Sequence, residues 1–538
     1  MALSVRATVR VLGLVASLAF GAQALLSYAL AGAAGFEDRP EGAIRFHAAL
    51  GERVATALTS VTPDPVLLAL HPALVGPLAP GATPDSDSAR VLAVQRAMTS
   101  LFSGARVTRQ GFAFWYSAPL VAVTIVALLA LLLVRRQGSD LAPETPRQIF
   151  RWAGVFGVVM AFALPVLVPD FWMSIAWGRA MRLGANPYYL VPPDAVQGLP
   201  FDPDMLRMTY GPLWGIVSWG VAIVSRGAVF WAAVLFKLLL IGAWLLLLRL
   251  VWRSVEGRSV ADQCTALLAV GWLPLGPVHV AGDGHNDVLM VAFVVLWMLL
   301  LGSGRLVLAS VVLALSVGVK YATAPLFMLD ALWSLTPDLR PRLWSGIRAY
   351  ATRAIAAALV LAVVFAPFIR SLEFFAETAA VREGRFFLPA DAVKAIGTLV
   401  GVDFTVPAYL VMGVFPIATL WLCLRYWRRP DQAELRAATA GIMLSMVWVA
   451  AGHVWPWYVM WLLPLAVLLP DRHMLSRFTV GVALAAPFWL VPWIAWPRTS
   501  TFVRFELPSL MAYVVALAWM LWVWRFFGAR GAETGPAA

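Results

Sequence analysis

Val168-Pro-Asp-Phe-Trp-Met-Ser-Ile-Ala-Trp-Gly-Arg-Ala-Met-Arg-Leu-Gly-Ala-Asn-Pro-Tyr-Tyr189 places a carboxylate at the end of a long apolar run and follows it with an aromatic, basic, turn-rich segment. Asp170 stands where a membrane span emerges, so it can stay ionised at the interface. Trp172, Trp177, Arg179 and Arg182 suit a surface-lying helix with interfacial anchors. Read this way, the stretch belongs to a helical bundle in a bilayer. Whether it is a site or a connecting loop depends on the rest of the chain.

Outward from this stretch the chain is apolar almost throughout. Of its 538 residues, 61% are hydrophobic and 13% charged, and the mean hydropathy is +0.79. Soluble proteins run at about 45–50% apolar and about 25% charged. Runs long enough to cross a bilayer core, roughly 17–25 residues, recur from one end to the other, and the need to satisfy backbone polar groups in lipid makes the spanning elements helices. The fold class is therefore all-α, a polytopic helical membrane protein with no visible soluble domain.

The 41 Lys and Arg against 29 Asp and Glu give a net charge of +12. The basic residues cluster in short loops: Arg135-Arg136, Arg340-Pro-Arg342, Arg425 with Arg428-Arg429, and Arg525 flank apolar runs. That is the cytoplasmic-loop bias of membrane insertion, not a groove tracking nucleic-acid phosphates, so nucleic acid is not an expected partner. Cys264 and Cys423 lie in or beside apolar segments without partner spacing, which suggests neither a disulfide framework nor a metal site. The first apolar run, behind Arg6 and Arg10, lacks a small-residue cleavage site and reads as a retained anchor.

The same bias orders the spans. Two spans, about Val11 to Ala33 and about Phe112 to Val134, bracket a polar outer loop over 35–111, and a third, about Trp152 to Pro169, delivers Asp170 to the outer face. Gly211 to Ser225 is too short to cross alone, and a crossing there would put Arg249, Arg253 and Arg258 outside. It is read as a re-entrant or surface-lying helix, tolerated where it lines a protein cavity. Continuing through an outer turn at Gly282 to Asp287, an inner basic loop from Arg340 to Arg353 and an outer loop from Arg370 to Asp403, the bias predicts about fourteen spans with both termini cytoplasmic.

Under this topology Asp170, Arg179, Tyr210, His285, Asn286, Asp287, Lys320, His453, Trp457 and Tyr458 all reach one membrane face. Each has a plain structural role open to it. Asp170 can cap the following helix, Asn286 or Asp287 can cap the next, Lys320 can snorkel, and His453 with Trp457 and Tyr458 can sit in an aromatic belt. His279 reads as a packing residue and His473 as cytoplasmic. Caps and snorkelling do not require the ionisable residues to share one face, however, and such groups at the hydrocarbon boundary are costly, so their convergence points to a water-filled functional cavity. A carboxylate beside a histidine suits general-base work on a hydroxyl, while lysine and arginine suit a phosphate gathering charge as it leaves. Aromatic rings suit a sugar face or a lipid chain. Glycosyl transfer from a lipid phosphate fits this set better than a transporter or flippase of lipid-linked glycans, which would show matched broken helices in two halves and charges at mid-bilayer.

Five stretches, in order, carry a family resemblance: Trp177-Gly-Arg-Ala-Met-Arg-Leu-Gly-Ala-Asn-Pro-Tyr188 behind Asp170, Thr209-Tyr-Gly-Pro-Leu-Trp214, Gly284-His-Asn-Asp-Val-Leu-Met290, Gly318-Val-Lys-Tyr321 and Trp455-Pro-Trp-Tyr-Val-Met-Trp-Leu-Leu-Pro464. Over roughly Trp152 to Leu469 the chain resembles the multispanning GT-C glycosyltransferases, and within them the bacterial polyprenol-phosphate-mannose-dependent α-mannosyltransferases. The resemblance implies an inverting enzyme of the bacterial inner membrane that works on the outer, periplasmic face. Its donor would be a polyprenyl-phosphate sugar, most simply of mannose, and its acceptor a glycan or glycolipid among the membrane lipids. It divides the chain into a two-span extension (1–151), a catalytic core (152–470) and C-terminal spans with a cytoplasmic tail (471–538). A catalytic aspartate is implied at Asp170, with the base open between Asp170 and His285. Substrate contacts are implied from His285, Asn286, Asp287, Lys320, Trp457 and Tyr458, and Arg179, Tyr210 and His453 join them as candidate substrate-binding residues because they share the same membrane face. No cofactor is expected, and no metal, because no compact ligand cluster is visible in the sequence.

Overall fold

The structure, a computed structural model, describes residues 5–32, 109–165, 170–197, 199, 207–334, 343–370, 388–450, 454–470, 473–491 and 505–527. Among these residues every regular element is helical, as the apolar runs predict. The outer loop over 35–108 and His453 lie outside the described residues.

Helices α1 (Val5–Gly32) and α2 (Arg109–Gln137) pack together, and α1 also packs on α3 (Thr145–Ala161). α2 ends in Arg135 and Arg136, cations that suit the negative end of a helix, and α3 opens with a proline in its first turn, where a missing N–H costs nothing. α3 stops at Ala161, short of the Pro169 end expected for the run, and Asp170 heads its own helix α4 (Asp170–Arg182). The segment read as re-entrant is the 13-residue helix α5 (Pro212–Val224), laid against α4. α6 (Val229–Ser254) is a long apolar helix, and α7 (Val260–Gly271) starts from Ser259, whose hydroxyl accepts from the Asp262 N–H.

A π-helical turn, Pro277–Gly282, then leads through a glycine bend into α8 (Asp287–Gly302), which returns as α9 (Leu306–Val319). α10 (Leu326–Trp333) is short, and α11 (Leu343–Phe365) packs on α9. The remainder comprises α12 (Pro389–Val400), α13 (Thr405–Arg428), α14 (Gln432–Ser445), α15 (Met474–Ala485) and α16 (Leu507–Phe527). Fully buried tryptophans, among them Trp177, Trp214, Trp244, Trp272 and Trp297, fill the core between helices.

Five helices among the described residues are long and apolar enough to cross a membrane: Val5–Ser27, Tyr116–Asp140, Val229–Ser254, Gly346–Phe365 and Thr405–Arg428. With no strands among the described residues, this is an all-α membrane protein, but the helices do not support a count of about fourteen spans. The physical reason is visible in α8 and α9, of 16 and 14 residues. A glycine bend at Gly304 separates them and α9 stops at the extended Lys320, giving rises of only about 24 and 21 Å against the ~30 Å of a hydrocarbon core.

The expected inner basic loop over Arg340 to Arg353 also needs correcting at its end. Arg353 lies inside α11, 2% exposed, and its guanidinium binds Asp330 of α10. Ser310 and Trp297 complete that buried network, their donors reaching Asp330 at 2.5 and 2.8 Å.

Candidate active site

Three helix ends meet beside α4: its own N-terminus, the N-terminus of α8 and the C-terminus of α9. The first is pinned from both sides. Trp172 donates its indole N–H to the Pro165 carbonyl at 2.8 Å, and Trp214 of α5 donates to the Ser174 hydroxyl at 2.9 Å. Gly178 presses against the backbone of Ser218, leaving no room for a side chain. These contacts hold the Asp170 carboxylate at the edge of the core, 24% exposed.

The second end is set by the bend Asp283-Gly-His-Asn286. Gly284 has φ +79°, a left-handed conformation that glycine adopts without strain, and a Cβ there would overlap the ring of Phe171. Phe171, next to Asp170, therefore seats directly on the bend and brings His285 Nδ1 to 3.6 Å from Asp170 Oδ2. Lys237, a single lysine in the otherwise apolar first half of α6, fixes the bend from beneath. Its ammonium donates to the carbonyls of Ala163 (3.0 Å), Ala281 (2.7 Å) and Gly282. The His285 ring lies flat on Trp457, with centroids 3.9 Å apart, and Trp457 stacks in turn on Trp455.

At the third end Lys320 leaves α9 in an extended conformation and turns its ammonium onto Asp287 Oδ1 at 2.7 Å. Trp461 donates to the same oxygen, while Asp287 Oδ2 has no partner among the described residues. The rings of Tyr210, Tyr458 and Trp461 stand 4.9, 4.6 and 4.9 Å from the ammonium and form an aromatic cage. Tyr210 is placed by its neighbours: Gly211 N–H donates to the Val319 carbonyl at 2.9 Å, and the Tyr188 hydroxyl donates to the Tyr210 carbonyl at 2.5 Å. The Tyr210 hydroxyl stands close enough to Asp170 for each group to influence the other's charge. The Asn-Pro-Tyr and Thr-Tyr-Gly-Pro stretches thus serve one purpose, to hold Tyr210 between Asp170 and Lys320.

Burial pushes the Asp170 carboxyl up to about 6; Lys320 opposes the shift and Asp287 adds to it. His285 is held well below the usual histidine range, first by burial and then by His279 and Lys320, so its ring is neutral at neutral pH. Neither ring nitrogen of His285 nor either amide atom of Asn286 finds a hydrogen-bond partner among the described residues, though both side chains are buried. Buried polar atoms are nearly always partnered, so unmet capacity gathered in one place suits a polyhydroxylated ligand.

Of the residues expected to share this face, Asp170, Tyr210, His285, Asn286, Asp287, Lys320, Trp457 and Tyr458 are brought together. Arg179 is not. Nine residues along α4 from Asp170, it donates to the Gln197 carbonyl at 2.6 Å. Lys237 and Trp461 were not anticipated, although a lone lysine in a long apolar run is the signal that finds the first.

The expectation of no compact ligand cluster is corrected. His279, expected to be a packing residue, bonds Asp283 at 2.9 Å, and ligand atoms of His279, Asp283 and His285 lie within 4.8 Å of one another.

Residues 67–336 match the family model described as alpha-(1->6)-mannopyranosyltransferase, N-terminal domain, a match that begins ahead of Trp152. Alpha-(1->6)-mannopyranosyltransferase A of Mycobacterium tuberculosis is 26% identical over 352 residues, 62% of this chain. The chain spans 66% of the length of that relative.

Proposed function

Since this chain belongs to the alpha-(1->6)-mannopyranosyltransferase family, we propose that the Asp170 cluster transfers a mannosyl group to a hydroxyl of a glycan or glycolipid acceptor. The donor is a polyprenyl-phosphate mannose. Asp170 takes the proton as the acceptor oxygen attacks the anomeric carbon, the bond to the donor phosphate breaks, and the polyprenyl phosphate departs with the electron pair. Lys320, with Asp287 fixing its position, faces the phosphate as its charge grows. His285, neutral and flat on Trp457, and Asn286 offer hydrogen bonds to sugar hydroxyls.

The observation that carries this reading is the state of Asp170. It is the partly exposed carboxylate of the cluster, with a carboxyl raised to about 6, close to where a general base works best. Asp287 is fully buried and paired, and Asp283 is buried on His279, so neither stands free as a nucleophile. One available base supports a single displacement with inversion.

Topology supports a site on the outer face of a bacterial inner membrane. α3 carries Arg147 and Arg151 in its basic first half and rises about 21 Å from Arg147 to Ala161, the end that precedes Asp170. A count of about fourteen crossings would require shorter apolar helices such as α8 and α9 to cross as well. Purified protein given labelled polyprenyl-phosphate mannose and a mannoside acceptor should release polyprenyl phosphate and form an α-linked product. Absence of both with the folded protein would overturn the assignment.

A further inference from the structure

At the start of α3, away from the Asp170 site, two pairs of arginines face each other across an open cleft of about 640 Å³. Arg6 and Arg10 lie one turn apart on α1, and Arg147 and Arg151 lie one turn apart on α3. All four are exposed. Glu144, 3.8 Å from Arg6, is the one acid lining the cleft, which leaves it strongly cationic. Like charges one helical turn apart repel, and here two such pairs are set against each other with one carboxylate between four guanidinium groups, so a bound anion relieves the arrangement.

The lower half of the cleft is different in kind. Val11 and Leu14 of α1 and Val155 of α3 are 52%, 55% and 41% exposed, immediately beyond the arginines. The helices close beneath them where Gly13 lies against the Trp152 ring, and Gln148 ties α3 to the Arg6 carbonyl at 3.1 Å. The cleft is therefore cationic at its mouth and apolar along its wall.

We propose that this cleft binds an anionic phospholipid of the membrane, its phosphodiester between the two arginine pairs and one chain along Val11, Leu14 and Val155. Guanidinium groups match phosphate oxygens with paired donors, and the apolar wall gives a chain the place that a free phosphate or a nucleotide has no use for. A lipid whose headgroup carries a compensating amine meets four arginines and loses part of the attraction.

The test is native mass spectrometry of the full chain in detergent, comparing first-lipid association of phosphatidylglycerol and phosphatidylethanolamine. Wild-type protein should prefer phosphatidylglycerol. At a surface attraction worth about fivefold per arginine, Arg151→Gln should lower the preference by about fivefold, and the combined Arg10→Gln, Arg147→Gln, Arg151→Gln variant by on the order of 100-fold. Lysine at the same three positions should keep most of it. Equal association of the two lipids, or an unchanged preference in the single and triple glutamine variants, would overturn the proposal. Displacement of the lipid by millimolar inorganic phosphate would show a free-anion site and overturn it as well.

Discussion

The Lys320 ammonium lies 2.7 Å from Asp287 Oδ1, and both groups are buried, Asp287 completely. The lysine ends α9 and the aspartate begins α8, so this one bond ties the opposed ends of two adjacent helices at the level of Asp170. A buried pair of this kind contributes little net stability, but removing one partner strands the other charge in a poor solvent. Asp287→Asn or Lys320→Met alone should destabilise the protein by about 3–5 kcal/mol, and the double substitution should recover much of that loss. Thermal unfolding in detergent measures it. Transferase activity should stay lost in the double variant, which separates the structural role of the pair from its placement of the ammonium.

Asp170→Asn keeps the shape of the side chain and removes the base. General-base assistance is worth about 10²–10⁴-fold, so turnover should fall by that range with the protein still folded. Release of labelled polyprenyl phosphate under single-turnover conditions checks it, and near-normal release would remove Asp170 from the mechanism.

Activity should rise as pH increases through about 6, because Asp170 accepts a proton only when ionised and burial has raised its carboxyl to about 6. Stability should move the other way. A carboxyl raised on folding holds its proton more tightly in the folded state, so the stability present below the unfolded value near 3.8 is lost as pH climbs to about 6. Asp391, also raised to about 6 by burial, titrates in the same window, so Asp170→Asn should remove the pH step in activity but only part of the step in stability. A pH series of rates and unfolding midpoints for both proteins decides it.

Gly284→Ala should be costly for its size. The position has φ +79°, and a Cβ would overlap the Phe171 ring. Left-handed backbone strain is worth roughly 1–2 kcal/mol for an ordinary residue, before the clash is counted. Because the clash pushes the bend away from Phe171, activity should drop more than stability predicts. Gly304→Ala, at φ +74° with open space around it, carries the strain alone and serves as the comparison.

Arg353→Met should strand Asp330, which is fully buried and held by Arg353, Ser310 and Trp297. A loss of about 3–5 kcal/mol is expected, with catalysis per folded molecule little changed, since Trp297 and Ser310 sit ten residues along α8 and α9 from Asp287 and Lys320. Rates normalised to folded protein, set beside unfolding midpoints, distinguish this network from the catalytic one.

Much of the site was legible because charge is scarce in this chain. In a sequence so apolar, Asp170, the His285-Asn286-Asp287 run and Lys320 each interrupt or end a hydrophobic stretch, and the cost of placing them in lipid makes a shared polar cavity the economical reading. Arg179 shows the limit of counting membrane faces. Nine residues on one helix turn it about 180° away from Asp170, so the same face of the membrane is not the same face of the helix. Lys237 and His279 were missed for the opposite reason: each lies in or at the edge of an apolar run, where snorkelling or packing explains a lone polar residue equally well.

The sequence alone determined that the chain is helical and lives in a membrane, and which short stretches supply the candidate site, because hydropathy and the cost of buried charge are local properties of composition and spacing. Where each helix breaks, and which partner each charged group meets, was decided only by the tertiary structure. The stack of His285 on Trp457, 172 residues away, and the pairing of Asp170 with the bend that Gly284 makes possible, follow from three helix ends packing together. No hydrophobic pattern encodes that meeting, because it depends on which side chains fill the space between helices once the lipid has excluded water from the rest.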